Sequence, residues 1–109
     1  MGNNNYARGA QFERKVKEYL ESKGYYAVRA AGSHGLTDVI AVRRDETVNI
    51  ILFIQCKTGK ATMPVKDRVV LYTDAVRVGA YPLLAQPDKD QIMFLEITNN
   101  GKLKEYHIA

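Results

Sequence analysis

Between Ala7 and Lys23 the apolar residues Phe12, Val16, Tyr19 and Leu20 recur at helical spacing, and Gly24 follows where a glycine closes a helix. Residues 1–6 are mostly polar and read as a short flexible arm. The pattern then changes period. Tyr25 to Ala30 is a short β-prone run, Gly32-Ser33-His34-Gly35 a turn, and Leu36 to Arg43 a strand. Arg44 to Thr47 connects into Val48 to Lys57, whose run Ile50-Ile51-Leu52-Phe53-Ile54 reads as a strand buried on both faces. After a loop from Thr58 to Met63, Pro64 opens a second helix with Val65, Val69, Tyr72 and Val76 along one face, and Gly79 closes it. Tyr81 to Gln86 and Gln91 to Ile97 are strands separated by a turn at Pro87 to Asp90. Asn99-Asn100-Gly101 turns the chain into a last run around Leu103 to His107. The expected order is α-β-β-β-α-β-β, the last run adding one strand: an α/β fold with a mixed sheet flanked by helices.

The length of 109 residues supports one domain, 1–109, because two separate cores would each be too small. No apolar run approaches the roughly 20 residues of a membrane span, and the polar start has no signal-peptide core. With one cysteine and two histidines, the chain can form neither an intramolecular disulfide nor a four-ligand Cys/His zinc site. An intracellular, cytoplasmic setting is the expectation, in a cell or in the host cell of a virus. The net charge of +4 favours a polyanionic partner only weakly. Its placement says more: Arg8, Arg14, Lys15, Lys17, Lys23 and Arg29 form one basic set, and Lys57, Lys60, Lys66 and Arg68 another. Such sets also occur on ordinary solvated helix faces.

Chemistry concentrates around Asp38, which follows the glycine turn at the start of a strand. Gln55 and Lys57, two residues apart at the end of the buried strand, share one sheet face. Glu13 falls at the edge of the first helix's apolar arc, roughly 20° beyond Leu20 at 100° per residue. Two carboxylates, an amide oxygen and an ammonium on adjoining elements make a hard-oxygen site suited to Mg²⁺ or Mn²⁺. Each residue also has a plainer reading. Glu13 with Lys17 is an i,i+4 pair. Asp38 can satisfy turn amides, and Lys57 can be a surface lysine laid along the strand end. Cys56 points away from Gln55 and Lys57, into the core.

Arg8-Gly9-Ala10-Gln11-Phe12-Glu13, Val28 to Gly35 leading into Asp38-Val39-Ile40-Ala41, and Ile54-Gln55-Cys56-Lys57 together resemble the archaeal-type Holliday junction resolvases. These are restriction-endonuclease-like nucleases with the PD-(D/E)xK pattern. Lys66 to Ala85 is similar as well, so the resemblance is collinear over most of the chain. Two positions depart from the pattern: Thr37 stands for the proline, and Gln55 for the acidic residue. A carboxamide ligates through its oxygen without bringing charge, so lower metal affinity follows. A glutamine there also resembles virus-type replication and repair nucleases of the superfamily.

The resemblance implies a Mg²⁺-dependent endonuclease, with Mn²⁺ as a substitute, that resolves four-way DNA junctions by paired nicks. It implies a homodimer, and neither an organic cofactor nor a membrane partner. Asp38, Gln55 and the Cys56 backbone carbonyl become metal ligands, with Glu13 on a metal-bound water or second ion. Lys57 serves the attacking water and the transition-state charge, and Ser33 positions the scissile phosphate. DNA contacts are assigned to Arg8, Arg14, Arg29, Ser33 and His34, and to Lys60, Lys66 and Arg68. Leu71, Ala75 and Val78 on the second helix offer a dimer face. Two alternatives share the same residues: a related nuclease acting on flaps, nicks or linear duplex, and a non-catalytic DNA-binding module on the same fold.

Overall fold

A computed structural model of the chain describes residues 3–30 and 35–109. The elements are α1 (Asn3–Ser22), β1 (Tyr26–Arg29), β2 (Val39–Asp45), β3 (Val48–Cys56), α2 (Val65–Arg77), β4 (Tyr81–Asp88), β5 (Gln91–Ile97) and β6 (Leu103–Glu105). This is the element order expected from the hydrophobic pattern, short last strand included. The strands form one sheet in the order β1-β2-β3-β4-β5-β6. β3 and β4 are parallel and the other neighbours antiparallel. A parallel pair needs a crossover, and α2 supplies it. No helix among the described residues is long and apolar enough to cross a membrane.

Helix α1 lays Phe12, Val16 and Leu20 on one sheet face, against Ala27, Val39, Ala41, Leu52, Ile54, Leu83, Ala85 and Phe94. Its start corrects one expectation. The helix begins at Asn3, so most of the supposed arm is helical. Once the packed turns exist, each added residue gains a hydrogen bond, and no proline stands in the way.

The other sheet face is only partly covered. α2 packs mainly on β4 and less on β3 and β5, enclosing Met63, Leu71, Leu84 and Ile97. The buried apolar residues of β3, Leu52 and Ile54, both lie on the α1 side. Phe53, on the opposite side, is half-buried.

The face of α2 that packs inward also differs from expectation. Leu71 and Ala75 are buried, whereas Val65, Val69 and Val76 are 55%, 40% and 52% exposed. The helix carries apolar residues on both stripes, so periodicity alone could not choose. In the fold, Ala75 permits close approach to the sheet while Leu71 fills the space over β4. Leu71 and Ala75 are thus spent within the protomer, and of the supposed dimer face only Val78 remains exposed.

At the β4–β5 turn, strand pairing continues through Pro87↔Ile92 to Asp88↔Gln91, leaving only Lys89 and Asp90 in the loop. Lys89 adopts a left-handed backbone, φ 57°, which costs a residue with a Cβ about 1–2 kcal/mol.

Leu71→Ala should cost about 2–5 kcal/mol in urea unfolding, because it opens a cavity between α2 and the sheet. Val76→Ser should stay within about 0.5 kcal/mol of wild type. The reverse ranking would mean that the valine stripe, not Leu71, is the buried face.

Candidate active site

The sheet end formed by the start of β2 and the end of β3 gathers the charged residues. Asp38, one residue before β2, is tied on both sides. Its backbone N–H donates to the Ile54 carbonyl at 2.8 Å, and its own carbonyl accepts from Ala30 N–H at 2.8 Å. The side chain reaches across the same strand end. Asp38 Oδ2 accepts from Gln55 Nε2 at 2.9 Å and from the Cys56 backbone N–H at 2.8 Å. Burial pushes the Asp38 pKa up and is the largest influence. The Cys56 hydrogen bond works against it, and the negative charge of Glu13 adds to it. The cationic Lys57 and Arg29 pull the other way.

Gln55 is 8% exposed, and its Oε1 is buried with no hydrogen-bond partner among the described residues. The orientation of the amide follows from chemistry. An ionised carboxylate only accepts, so the amide must turn its NH₂ to Asp38 and leave its oxygen unmatched. A buried acceptor without a donor costs about 1–3 kcal/mol.

Lys57 continues β3 by one residue, its backbone N–H donating to the Ala85 carbonyl at 3.0 Å. Its side chain is partly exposed, and its charge reaches Asp38. Among the described residues it has no salt-bridge partner.

Glu13 lies beside this group but is already engaged. Its Oε1 accepts from Arg29 Nη2 at 3.0 Å and Nε at 3.2 Å, with both side chains about one-fifth exposed. Lys17, the alternative partner, bonds Glu21 instead at 2.8 Å.

Arg29, taken from the sequence as a DNA contact, therefore holds Glu13. The signal for this was present. Tyr25 and Ala27 are buried on the α1 side, and strand alternation sends Arg29 to that same side. Arg68 is also diverted: Nε donates to the Met63 carbonyl at 2.9 Å and Nη1 to the Gly101 carbonyl at 3.1 Å, clasping the loop before α2 to the β5–β6 turn. Arg8, Arg14, Lys60 and Lys66 stay exposed. Ser33 and His34 lie outside the described residues.

The Cys56 side chain packs against the α1 core, and burial, followed by the Asp38 and Glu13 charges, pushes its thiol pKa up. It is a core residue, not a nucleophile.

Among the described residues no group of three or more His, Cys, Asp or Glu side chains forms a metal cluster. A cation site here would rest on mixed oxygen ligands. Asp38 and Gln55 fit that role, since the orphaned Gln55 Oε1 is the kind of buried oxygen that a hard cation satisfies.

Residues 4–108 match the family described as archaeal Holliday junction resolvase (Hjc). The crossover junction endodeoxyribonuclease Hjc of Methanocaldococcus jannaschii is 33% identical over 103 residues, covering 89% of this chain and 74% of that protein. The solved structure of Hjc, a Holliday junction resolvase from Archaeoglobus fulgidus, superposes with a TM-score of 0.65 at 25% identity, covering 85% of this chain and 80% of that one.

A carboxyl group whose folded pKa is raised binds its proton more tightly in the folded state than in the unfolded state. Ionised Asp38 therefore weakens the fold at neutral pH, and the penalty fades as pH falls below the ordinary Asp range near ~4. In EDTA, Asp38→Asn should raise the Tm at neutral pH, with the gain shrinking toward zero in acid. Equal melting temperatures at neutral pH would remove the burial penalty from this site.

Proposed function

The chain belongs to the archaeal Holliday junction resolvase family, and on that premise we propose that it is a Mg²⁺-dependent endonuclease that nicks four-way DNA junctions in symmetric pairs. The observation that carries the reading is Asp38 held 2.9 Å from Gln55, with Gln55 Oε1 buried and unpartnered and Lys57 beside them. These residues occupy the positions of the PD-(D/E)xK pattern. Work on DNA junctions sets the protein inside a DNA-containing cell, whether its own or a virus's host.

Asp38 and Gln55 Oε1 would hold the cation, with the Cys56 backbone carbonyl as a further ligand. When bound, a divalent cation supplies positive charge for the phosphate oxygens and acidifies water. The chain's own residues do the rest. Lys57 brings a mobile ammonium to the growing charge on the phosphate and orients the attacking water. Arg29 fixes Glu13 at the rim, where its outward carboxylate edge can accept from water. Ser33, five residues before Asp38 in the chain, is assigned to the scissile phosphate, and His34 to the DNA backbone. Arg8, Arg14, Lys60 and Lys66 contribute phosphate contacts.

A junction has two-fold symmetry and one site makes one cut, so a C₂ pair is the economical assembly. The dimer face is proposed on the sheet side opposite α1. There Tyr26 is 74% and Val28 37% exposed, with Ile40 and Val42 beside them. The Val65 and Val69 flank of α2 looks to the β5–β6 turn at Gly101. Its other flank, with exposed Val70 and Val78, borders this open sheet face.

The deciding assay offers labelled four-way junction, flap and linear duplex with Mg²⁺ or EDTA. Paired nicks confined to the junction are expected, and preferential cleavage of flap or duplex would overturn the junction reading. In a Mg²⁺ titration, Asp38→Ala should show no cleavage at saturation while still binding junction. Gln55→Glu should reach half-maximal rate at lower Mg²⁺, and an unchanged requirement would take Gln55 out of the ligand set. For the dimer, sedimentation equilibrium at micromolar protein should give twice the chain mass for wild type and one chain mass for Tyr26→Asp/Val78→Asp. A wild-type mass of one chain would exclude the pair.

A further inference from the structure

Beside the catalytic strand end lies a groove of about 440 Å³ between the first turns of α1, the Thr58–Gly59 segment and the β4–β5 turn. Its floor is apolar, with Phe12 and Ile92. Its rim carries Arg8 and Lys15 from α1 and Lys89 from the turn, against one carboxylate, Asp90. None of the three cations forms a salt bridge among the described residues. Arg8 and Lys15 are seven residues apart, so both fall on one side of α1, the side away from Arg29. Lys89 is held at the tip of a two-residue turn by the strained left-handed backbone noted above. Glu46 in the two-residue β2–β3 turn has the same backbone, φ 56°, so this is the geometry of a tight hairpin turn.

The position is informative. Asp38 and Gln55 sit at the ends of β2 and β3, whereas the groove opens at the ends of β4 and β5. Two strand spacings, about 10 Å, separate them. Successive phosphates of one strand lie about 6–7 Å apart, twice the axial rise of 3.4 Å, so this distance is about one to two nucleotides along the strand. Thr58 and Gly59, which line the groove, follow Lys57 directly in the chain. At Gly59 a Cβ would meet nothing within 4 Å, so the segment leaves the way open.

Resting on the resolvase reading above, we infer that this groove is a track for the sugar–phosphate backbone of the cleaved strand. Arg8, Lys15 and Lys89 neutralise phosphates from about one to two nucleotides beyond the cut onward, while the apolar floor takes the deoxyribose faces. Lys15 and Lys89 thereby join the DNA-binding residues assigned above. The three positive charges set against one negative favour a polyanion over a neutral ligand of the same size.

The test is the triple variant Arg8→Ala/Lys15→Ala/Lys89→Ala, titrated with four-way junction in EDTA over a range of salt. Every phosphate that is no longer neutralised lowers the slope of log Kd against log salt by about 0.9, so a fall of about 2 to 3 is expected, with junction affinity weakened by about tenfold or more. Uncharged methylphosphonates placed about one to three steps from the cut on one side should lower the wild-type slope by the same amount and leave the variant's slope unaltered. An unchanged slope in the triple variant overturns the track, as does a loss that follows methylphosphonates elsewhere on the strand. Junction cleavage by wild type with an unchanged variant slope would sink the groove alone. A lowered slope with no junction cleavage by wild type would sink the resolvase reading and leave the groove standing as a DNA track.

Discussion

A carboxylate drawn out of water must find donors, and where Asp38 finds them sets the geometry of everything around it. Both donors, Gln55 Nε2 and the Cys56 N–H, come from the end of one strand and converge on one oxygen, Oδ2. The main-chain bonds from Asp38 to Ile54 and from Ala30 to Asp38 keep β1, β2 and β3 in register up to that point. The acid is thereby fixed relative to the backbone and cannot swing into solvent. The donors do not offset the burial completely, and its pKa stays raised. A neighbouring positive charge is what would relieve this, and Lys57 and Arg29 provide it only in part.

The glutamine changes the electrostatics of such a site. Two carboxylates at hydrogen-bonding distance repel unless a proton or cation lies between them. An amide instead donates to the first acid, so Asp38 and Gln55 sit at 2.9 Å without help. The cost moves to the amide oxygen, which is buried without a donor. Preorganisation is gained, and one unit of negative charge is given up. Stability set aside at a functional site for the sake of a ready geometry is a common exchange.

The same sheet end joins catalysis to binding. Parallel strands β3 and β4 finish side by side, so Lys57 leads into Thr58–Gly59 while β4 runs on to the Lys89 turn. Cations on α1 and on the turn then flank one open channel. On the far side of the sheet, α2 covers only part of the surface, and the exposed residues around Tyr26 and Val28 are what a symmetric partner would cover. The candidate site, the groove and the open sheet face thus follow from where two helices can sit on six strands.

Much of this was readable in the chain itself. The change of period at Gly24, the two-residue spacing of Gln55 and Lys57, and the collinear motifs around Glu13, Asp38 and Lys57 marked the elements, the family and the strand end that gathers Asp38, Gln55 and Lys57, because those signals are local. Strand alternation from Tyr25 and Ala27 even carried the direction of Arg29. What the chain could not express was competition between distant partners. Glu13 had Lys17 within reach on its own helix, and only the approach of β1 gave it to Arg29. The α2 helix offered two apolar stripes, and the space over β4 took Leu71 and Ala75. Arg68 looked free until the Gly101 carbonyl arrived from 33 residues away. Local pattern determines what a segment is, whereas the tertiary structure decides which of several equally suitable partners it meets, since that depends on the geometry of closing the whole sheet.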